Sequence, residues 1–550
     1  MKQVAIKDTI AVLDFGSQYS HLIVRRIREQ GVYAELLSPE ISAEKLKDYA
    51  GLVLSGGPQN LSGNTNVRKS IRNTKVRTES TSEVLKADPR LYTLGLPVLG
   101  ICYGMQLMAH QLGGKVKAGT RREYGSTRVY LTGGTEATRN KNTERTRKSL
   151  KSLLFRGLSK EQVTWMSHGD QVTTVPKGFV RIARSENAPI SAMANETKKF
   201  YGLQFHPEVT HTKNGTKILD NFLNICHVSR TWSMKNFVGD SIAKIKQEIG
   251  KDKAVCALSG GVDSAIAATM VHRAIGKNLT CIFVDTGLMR SGEVEGIRKN
   301  LARSLKLNLK IIDAKEKFLK ALKGITDPER KRKAIGGLFI KIFEREAKKL
   351  GTVKFLVQGT LYTDAVSSGV SSGGKHTAVI KSHHNVGGLP EKFGFKLIEP
   401  LHDLYKYEVR KVGDTMGLPK EITYRMPFPG PGLAVRVIGQ VTEEKLQTLR
   451  AADAIFHEEL TKAGEAKRIT QYFAVLPDLR SVGVQGDART YGHPIILRAF
   501  TTTDFLTADW ARVPHELLAK VSSRITNEVE GINRVAYDIT SKPPATLEWE

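Results

Sequence analysis

The feature that most constrains the fold is an alternation of short apolar runs with helix-like stretches, which begins near Thr9 and starts again near Lys253. The first series contains the runs IAVLDFG, GLVLSGG and LPVLGICYG, and the second contains KAVCALSGG, LTCIFVDTG and KFLVQGT. Such alternation is typical of parallel sheets whose strands are joined by crossover helices. The sequence therefore predicts two parallel-sheet α/β domains.

The length of 550 residues leaves room for a further domain, because a domain averages roughly 150 residues. The run PFPGPG at 427–432 contains three prolines and two glycines, so it cannot continue a regular element. The pattern after this run mixes strands and helices, which indicates a C-terminal α+β domain. The predicted domains are 1–228, 229–428 and 429–550.

Composition excludes several classes of protein. Apolar residues make up 40% of the chain and charged residues 25%, which is typical of a folded soluble protein. No apolar run reaches the roughly 18 residues of a membrane span, and the start MKQVAIKDTI lacks a secretory signal, so we expect a cytoplasmic protein without membrane association. The 4 cysteines show neither CxxC spacing nor a neighbouring histidine cluster, which disfavours a zinc site or a disulfide framework.

The net charge of +29 points to anionic partners such as nucleotides, nucleic acid or acidic lipid. Two polar segments, 64–90 and 139–151, are rich in lysine and arginine and resemble loop insertions. Part of the positive charge is therefore local to these insertions.

Cys102 is a candidate nucleophile because it lies between an apolar strand and a helix, flanked by Gly100 and Gly104. A tight strand-to-helix turn needs small neighbours and leaves the sulfur beside a helix N-terminus, which favours the thiolate. His206 and Glu208 in FHPE share one face of an extended segment and could supply a general base and the group that orients it. Each residue alone is more often a buried thiol or a surface side chain, and only the combination predicts catalysis.

Over about 220 residues the first domain resembles class I glutamine amidotransferases, in its SGGP loop and in GICYGMQ, MSHGDQV and FHPEV. The resemblance implies that Cys102 attacks the side-chain amide of glutamine, that His206 shuttles the proton, and that Glu208 orients His206. The products would be glutamate and ammonia. The resemblance also implies an oxyanion hole from the backbone amides of Gly57 and Tyr103, and glutamine-holding residues Gln106 and Asp170. The basic segment between SGGP and GICYG is longer than the family usually shows.

The run SGGVDS at 259–264 follows a strand and opens a helix, so its amides and hydroxyls can cradle a phosphate chain. It lacks the lysine of a Walker A motif and resembles the PP-loop of ATP pyrophosphatases, which cleave ATP between the α- and β-phosphates. The implied ATP-binding residues are Ser259, Gly260, Gly261, Val262, Asp263 and Ser264. Asp263 is the predicted carboxylate on the Mg²⁺ side, and a plain helix cap is the alternative interpretation.

Later motifs extend the resemblance over nearly the whole chain, to the glutamine-hydrolysing GMP synthases. They are FVDTGLMR, PERKRKAIG, VQGTLYTD, IKSHHNVGGLPE, PFPGPGLAVRV, VGVQGDARTY and DITSKPPATLEWE. The resemblance implies that ATP adenylylates the C2 oxygen of xanthosine monophosphate (XMP) and that ammonia then displaces AMP to give GMP, the final step of guanine nucleotide synthesis from XMP. The implied XMP contacts are Arg332, Gln471, Asp487, Lys542 and Glu548.

Lys381, His383 and His384 lie in a glycine- and serine-rich stretch that predicts a mobile lid over the nucleotide site. Adjacent histidines can also bind metal, but no third ligand is evident. Two departures from the family pattern are Met426, where a histidine is usual, and the run YTDAVSS. The family further implies a homodimer through the C-terminal domain, and SKPPATLEWE implies that this domain reaches an ATP domain, either its own or that of a dimer partner.

Two other functions are weighed against an enzyme with the small-molecule substrates XMP, ATP and glutamine. An enzyme that acts on nucleic acid would fit the net charge, because some PP-loop proteins adenylate tRNA bases. No RNA-binding signature is evident, however, and only 7% of the residues are aromatic, so no specific nucleic acid is expected. A non-enzymatic interaction protein with a decayed amidotransferase domain is disfavoured by the presence of Cys102, His206, Glu208 and SGGVDS.

Overall fold

The computed structural model describes residues 6–17, 19–61, 85–132, 152–361, 395–502 and 507–550. Its contacts divide the chain into two compact units, Met1–Phe237 and Val238–Glu550. The predicted boundaries at 228 and 428 stay predictions.

The first unit contains one mixed sheet. Its strands are β1 (Thr9–Leu13), β2 (Tyr33–Leu37), β3 (Gly51–Leu54), β4 (Val98–Ile101), β5 (Lys115–Leu131), β6 (Glu161–Thr174), β7 (Val180–Arg184), β8 (Ala192–Asn195) and β9 (Phe200–Leu203). Its helices are α1 (Ser20–Glu29), α2 (Ala43–Leu46), α3 (Tyr103–Gln111) and α4 (Gly215–Ile225), and α5 (Met234–Ile249) continues into the second unit.

Among the described residues this sheet has nine strands, in the order β2-β1-β3-β4-β9-β8-β7-β5-β6. Strands β2, β1, β3, β4 and β9 pair in parallel. Every residue of β1, β3 and β4 is buried, which explains why their sequences are continuously apolar rather than alternating. The predicted parallel α/β fold is confirmed for this half of the sheet. The antiparallel half, from β8 to β6, was not predicted.

The second unit contains two sheets. Its strands are β10 (Ala254–Leu258), β11 (Leu279–Asp285), β12 (Leu309–Asp313), β13 (Phe355–Val357), β14 (Lys396–Ile398), β15 (Val437–Ile438), β16 (Gln471–Pro477), β17 (Ser481–Gln485), β18 (Ala488–Thr501), β19 (Asp509–Trp510) and β20 (Ile532–Asp538). Its further helices are α6 (Val262–Ile275), α7 (Glu293–Ile297), α8 (Lys315–Leu322), α9 (Pro328–Lys348), α10 (Lys406–Thr415), α11 (Lys420–Thr423), α12 (Glu443–Lys462) and α13 (His515–Glu528).

In the described part of this unit, a parallel sheet runs in the order β12-β11-β10-β13-β14, and a mixed sheet has the path β15-β16-β18-β17 with β19 and β20 also paired to β18. This confirms the second parallel α/β fold and the mixed strands and helices that follow it. One hydrophobic core cluster includes Val255 and Ile282 of the parallel sheet together with Phe456 of α12 and Ile495 of β18. The two sheets therefore share buried apolar contacts. Across the described ranges, no helix is both long and apolar enough to cross a membrane.

Candidate active site

Cys102 occupies a sharp turn between β4 and α3 in the first unit. Its backbone has a φ of 52° and a ψ of −105°, an uncommon conformation for a residue other than glycine. Its amide donates to the Leu203 carbonyl at 2.7 Å, which ties the turn to the end of β9. A Cβ at Gly104 would lie 2.2 Å from the Leu54 carbonyl oxygen, so only glycine allows α3 to approach β3 this closely. The sequence thus folds into the predicted tight strand-to-helix turn.

His206 and Glu208 lie beside this turn, in the segment that follows β9. His206 Nδ1 lies 2.7 Å from Glu208 Oε1, and both side chains are buried. Burial alone would lower the pKa of His206, but the Glu208 charge and the hydrogen bonds to Cys102 and Glu208 raise it well above its usual value. Because Nδ1 faces the Glu208 carboxylate, Nε2 is the ring nitrogen left for the Cys102 sulfur. The Cys102 thiol also donates to the Ser167 carbonyl at 3.5 Å.

The predicted glutamine-holding residues contact each other. Gln106 Nε2 donates to the Asp170 carbonyl at 2.8 Å, and both residues are buried. Tyr103 is the first residue of α3, and its hydroxyl donates to the Leu85 carbonyl at 2.7 Å. This hydrogen bond holds the Tyr103 side chain, while the Tyr103 amide belongs to the first turn of α3. Gly57 lies in the loop after β3.

Sequence reasoning missed Gln204, which is fully buried between two residues of the site. Its Nε2 lies 3.8 Å from Cys102 Sγ, and its Oε1 accepts from Gln106 at 3.2 Å. Buried amides need hydrogen-bond partners, and these two contacts link the nucleophile to the predicted glutamine pocket. The available signal was a glutamine within the otherwise apolar run FYGLQF.

A second buried histidine–carboxylate pair was also missed. His168 Nε2 lies 3.0 Å from Glu123 Oε2, and its Nδ1 lies 3.0 Å from the Asp170 carbonyl oxygen. The Ser185 hydroxyl donates to the same carboxylate at 2.9 Å. Burial tends to raise the pKa of Glu123, but the hydrogen bonds from His168 and Ser185 lower it overall. The pair holds the MSHGD segment, which contains the predicted glutamine-holding residue Asp170.

In the second unit, SGGVDS forms the turn between β10 and α6. Ser259 Oγ accepts from the Gly261 amide at 3.2 Å and lies 3.1 Å from Ser264 Oγ. Gly260 has a φ of 76°, which favours glycine, and Gly261 is the N-cap of α6. The loop thus presents its amides at a helix N-terminus, which is an arrangement that suits anions.

Two cations contact this loop, and neither was predicted. Lys406 Nζ lies 2.6 and 2.5 Å from the two carboxylate oxygens of Asp263. Arg425 donates to the Gly260 carbonyl and also pairs with Glu293. These partners are more than a hundred residues apart along the chain, so local sequence patterns could not reveal them.

Two of the predicted XMP contacts lie together. Gln471 Nε2 donates to Glu548 Oε1 at 3.1 Å, and Gln471 is buried. Arg436, which was not predicted, donates from Nη2 to Glu548 Oε1 and from Nε to Glu548 Oε2, both at 3.0 Å. Its side chain is fully buried.

The other predicted XMP contacts lie elsewhere in the unit. Arg332 is on α9 and lies 3.6 Å from Glu329. Asp487 lies at the exposed tip of the β17–β18 hairpin, with a φ of 61°. Lys542 pairs through its backbone with Ala508, at 2.8 and 3.0 Å.

Several predicted features fall outside the described residues. These are the lid residues Lys381, His383 and His384, the run YTDAVSS and most of both basic insertions. Met426 is described, and its Sδ accepts from the Tyr472 amide at 3.3 Å. Within the residues that the structure describes, no group of three or more histidine, cysteine, aspartate or glutamate side chains could hold a metal ion.

Family models match three parts of the chain: glutamine amidotransferase class-I over residues 11–226, NAD synthase over 233–338 and GMP synthase C terminal domain over 458–549. A GMP synthase (glutamine-hydrolyzing) from Geobacillus kaustophilus is 52% identical over 547 residues, covering 99% of this chain and 100% of the relative. The protein of the same name from Carboxydothermus hydrogenoformans is 53% identical over 544 residues, covering 98% of this chain and 99% of the relative. That from Clostridium botulinum is 52% identical over 547 residues, covering 99% and 100%.

We predict that Glu208→Gln changes how the stability of the first unit depends on pH. The raised pKa of His206 means that its pairing with Glu208 stabilises the fold fully below the unfolded pKa of about 6.5, and that this stabilisation is lost as the pH rises through the higher folded pKa. Calorimetry of the full chain should therefore show that the loss of thermal stability in Glu208→Gln is larger near pH 6 than near pH 9.

Glu161→Gln is the matched control, because Glu161 is an exposed, ion-paired glutamate of the same unit. It should change the thermal midpoint little at either pH, since exposed pairs contribute little. An equal loss of thermal stability near pH 6 and near pH 9 in Glu208→Gln would contradict the pairing of His206 with Glu208.

Proposed function

The chain belongs to the glutamine-hydrolysing GMP synthase family, and we propose that Cys102 and the PP-loop carry the two halves of its reaction. The enzyme aminates XMP to GMP with nitrogen from glutamine. The residue assignment is supported by one observation: for each half reaction, the chain has a group of residues suited to that chemistry. The first unit holds a buried Cys–His–Glu arrangement, and the second holds a phosphate-type loop at a helix N-terminus. We also propose a cytoplasmic location.

In the first half reaction, the proton of the Cys102 thiol passes to His206, and the resulting thiolate attacks the carboxamide carbon of glutamine. The C–N bond then breaks, and His206 returns the proton to the leaving ammonia. Water hydrolyses the remaining thioester and releases glutamate. The 2.7 Å contact with Glu208 supports this role, because it fixes the ring and leaves Nε2 toward the sulfur. Proposed partners in this site are the amides of Gly57 and Tyr103 for the oxyanion, and Gln106 and Asp170 for glutamine.

In the second half reaction, the C2 oxygen of XMP attacks the α-phosphorus of ATP and pyrophosphate leaves. Ammonia then attacks C2, and AMP departs to give GMP. The loop amides at the start of α6 support phosphate binding by Ser259–Ser264. The contact between the buried Gln471 and the partly exposed Glu548 supports recognition of the purine, since such groups can hydrogen-bond its edge. The remaining proposed XMP contacts are Arg332, Asp487 and Lys542, and the proposed lid residues are Lys381, His383 and His384.

We propose that Mg²⁺ accompanies ATP and that Asp263 would hold it. Mg²⁺ usually binds proteins through one or two carboxylates together with phosphate oxygens and water. Asp263 supplies a carboxylate at the first turn of α6, with the Ser259 and Ser264 hydroxyls nearby, and Lys406, which contacts both Asp263 oxygens in this structure, would have to release at least one of them to the ion. Bound there, the ion would neutralise the charge of the triphosphate.

A homodimer through the C-terminal part of the chain is also proposed. The β17–β18 hairpin exposes Val482, Val484 and Tyr491, whose exposed fractions are 50%, 72% and 61%. Neighbouring exposed apolar side chains of this kind mark interaction surfaces. The hairpin is therefore the proposed dimer contact.

We predict that Cys102→Ala abolishes GMP formation from glutamine, with a loss of more than about 10³-fold, because no other group can form the thioester. GMP formation from ammonium should survive, since the thiol serves only ammonia supply. GMP, AMP and pyrophosphate should be quantified with each nitrogen source. Cys226→Ala, at a buried thiol remote in sequence, is the control and should keep both activities. Loss of GMP formation from both glutamine and ammonium in Cys102→Ala, with both activities kept in Cys226→Ala, would contradict the assignment of Cys102 to ammonia supply only.

We predict that Asp263→Asn eliminates AMP and pyrophosphate formation with either nitrogen source, because the carboxylate is the proposed cation ligand at the triphosphate. Asp252→Asn is the control, since Asp252 is a partly exposed aspartate that pairs with Lys354 in the same unit. Release of pyrophosphate at the wild-type rate from Asp263→Asn would refute its role.

We predict that Val484→Asp weakens self-association, because a charge would be desolvated at the proposed contact. Sedimentation velocity over a range of concentrations should show a shift toward the monomer. Tyr124→Asp, at a comparably exposed apolar residue of the first unit, should leave the distribution unchanged. Identical sedimentation of Val484→Asp and the wild type would exclude this hairpin as the contact.

A further inference from the structure

Three fully buried cationic side chains contact the last residues of the chain. Lys331 lies on α9, Arg436 follows the PFPGPG run, and Arg498 lies on β18, and each side chain is at most 2% exposed. Lysine and arginine are almost never buried to this degree unless they are paired. Their common target is the segment 538–550, which contains the proposed XMP contact Glu548.

Lys331 uses all three of its ammonium donors. Its Nζ donates to the carbonyls of Ala434 at 3.2 Å and Val437 at 2.7 Å, and to Glu550 Oε2 at 2.6 Å. The other carboxylate oxygen of Glu550 accepts from the Gly439 amide at 3.4 Å. Burial lowers the pKa of Lys331, although Glu550 opposes this effect. A buried charge with every donor engaged is fixed in position.

Arg436 fixes Glu548 in a similar way. Its Nε and Nη2 donate to the two carboxylate oxygens of Glu548 at 3.0 Å each, which is the bidentate geometry of the strongest ion pairs. The guanidinium lies 4.0 Å from the centroid of the Phe473 ring and 5.2 Å from that of Phe428. Water is therefore largely excluded from this pair, and the Glu548 carboxylate has little freedom to rotate.

Arg498 holds the backbone of the same segment. Its Nη2 and Nε donate to the carbonyls of Thr546 at 2.7 Å and Leu547 at 2.9 Å, and its Nη1 pairs with Asp538. The segment is thus fixed immediately before Glu548 by Arg498, at Glu548 by Arg436, and at Glu550 by Lys331.

We propose that Lys331 is a positioning residue for XMP recognition, acting through Glu550. The inference rests on the proposed function, in which Arg332 and Glu548 contact XMP. Lys331 and Arg332 are consecutive on α9, and Glu550 is two residues from Glu548. The contact between Lys331 and Glu550 therefore fixes the distance between two substrate contacts that come from distant parts of the chain. Removing a partner from a buried pair leaves an uncompensated charge, so the segment should shift when either partner is changed.

The test compares Lys331→Met, Glu550→Gln and the double variant in the full-length protein. Both single variants should raise the KM for XMP about tenfold or more, because small misplacements of binding groups are costly. The KM for ATP should stay within about twofold, since neither residue contacts the PP-loop, and kcat at saturating XMP should fall much less than the XMP KM rises. The double variant should resemble the worse single variant, because both changes break one contact.

Lys333→Met is the matched control, because Lys333 is an exposed lysine two residues away on the same helix. It should leave the KM for XMP unchanged. Glu550→Gln keeps the shape of the side chain and an acceptor oxygen for Lys331. If Lys331→Met does not fold, the KM for XMP of Glu550→Gln therefore tests the proposal. A lower thermal midpoint with an unchanged KM for XMP in Glu550→Gln would show a purely structural contact and overturn the proposal.

Glu548→Gln, measured in parallel, separates this proposal from the site assignment. A raised KM for XMP in Glu548→Gln with an unchanged value in Glu550→Gln would leave the proposed site intact and overturn the positioning role. Absence of XMP-dependent AMP formation in the wild type would instead contradict the proposed function.

Discussion

The geometry of the second unit depends on the close packing of one proline- and glycine-rich segment, which runs from Arg425 to Arg436. At one end Arg425 donates to the Gly260 carbonyl of the PP-loop, and at the other end Arg436 holds a carboxylate of the terminal segment. Between them, Gly432 has a φ of 65°, and a Cβ there would lie 2.3 Å from the Leu288 carbonyl oxygen. No other residue type could adopt this conformation at this distance without displacing the backbone. The segment therefore links the PP-loop and the proposed XMP contact Glu548.

The first unit meets a different requirement, which is to bury the predicted nucleophile Cys102 beside His206 and Glu208. Steric constraints set this geometry too. Gly104 allows α3 to pack closely against β3, and this packing determines the strained turn at Cys102. Burial would by itself remove the charge from His206, and the fully buried Glu208 reverses that tendency. Removing one partner of such a buried pair costs about 3–5 kcal/mol, which is a large part of the stability of a typical domain. The catalytic arrangement and the stability of this unit are consequently coupled.

Sequence patterns predicted those features that depend on neighbouring residues. The buried parallel strands followed from continuous apolar runs, the sharp turn at Cys102 followed from its flanking glycines, and the contact between His206 and Glu208 followed from their two-residue spacing. The antiparallel strands β5 to β8 were missed, since mixed polar and apolar sequences do not identify their pairing partners. Lys406 and Lys331 were missed for a related reason. In PERKRKAIG four adjacent cations look alike, and only the packing of α9 decides which of them is buried.

The same packing explains why the net charge of +29 gave little information about the active site. Three cations near the proposed nucleotide contacts are each paired with a carboxylate: Lys406 with Asp263, Lys331 with Glu550 and Arg436 with Glu548. These pairs contribute almost nothing to the net charge, although they fix the geometry on which substrate recognition would depend. Burying a charge without a partner is unfavourable, so the buried cations Lys331 and Arg436 each need a partner carboxylate. Composition therefore describes the surface and the basic insertions. The chemistry of the site depends instead on which charged side chains are paired in the folded chain.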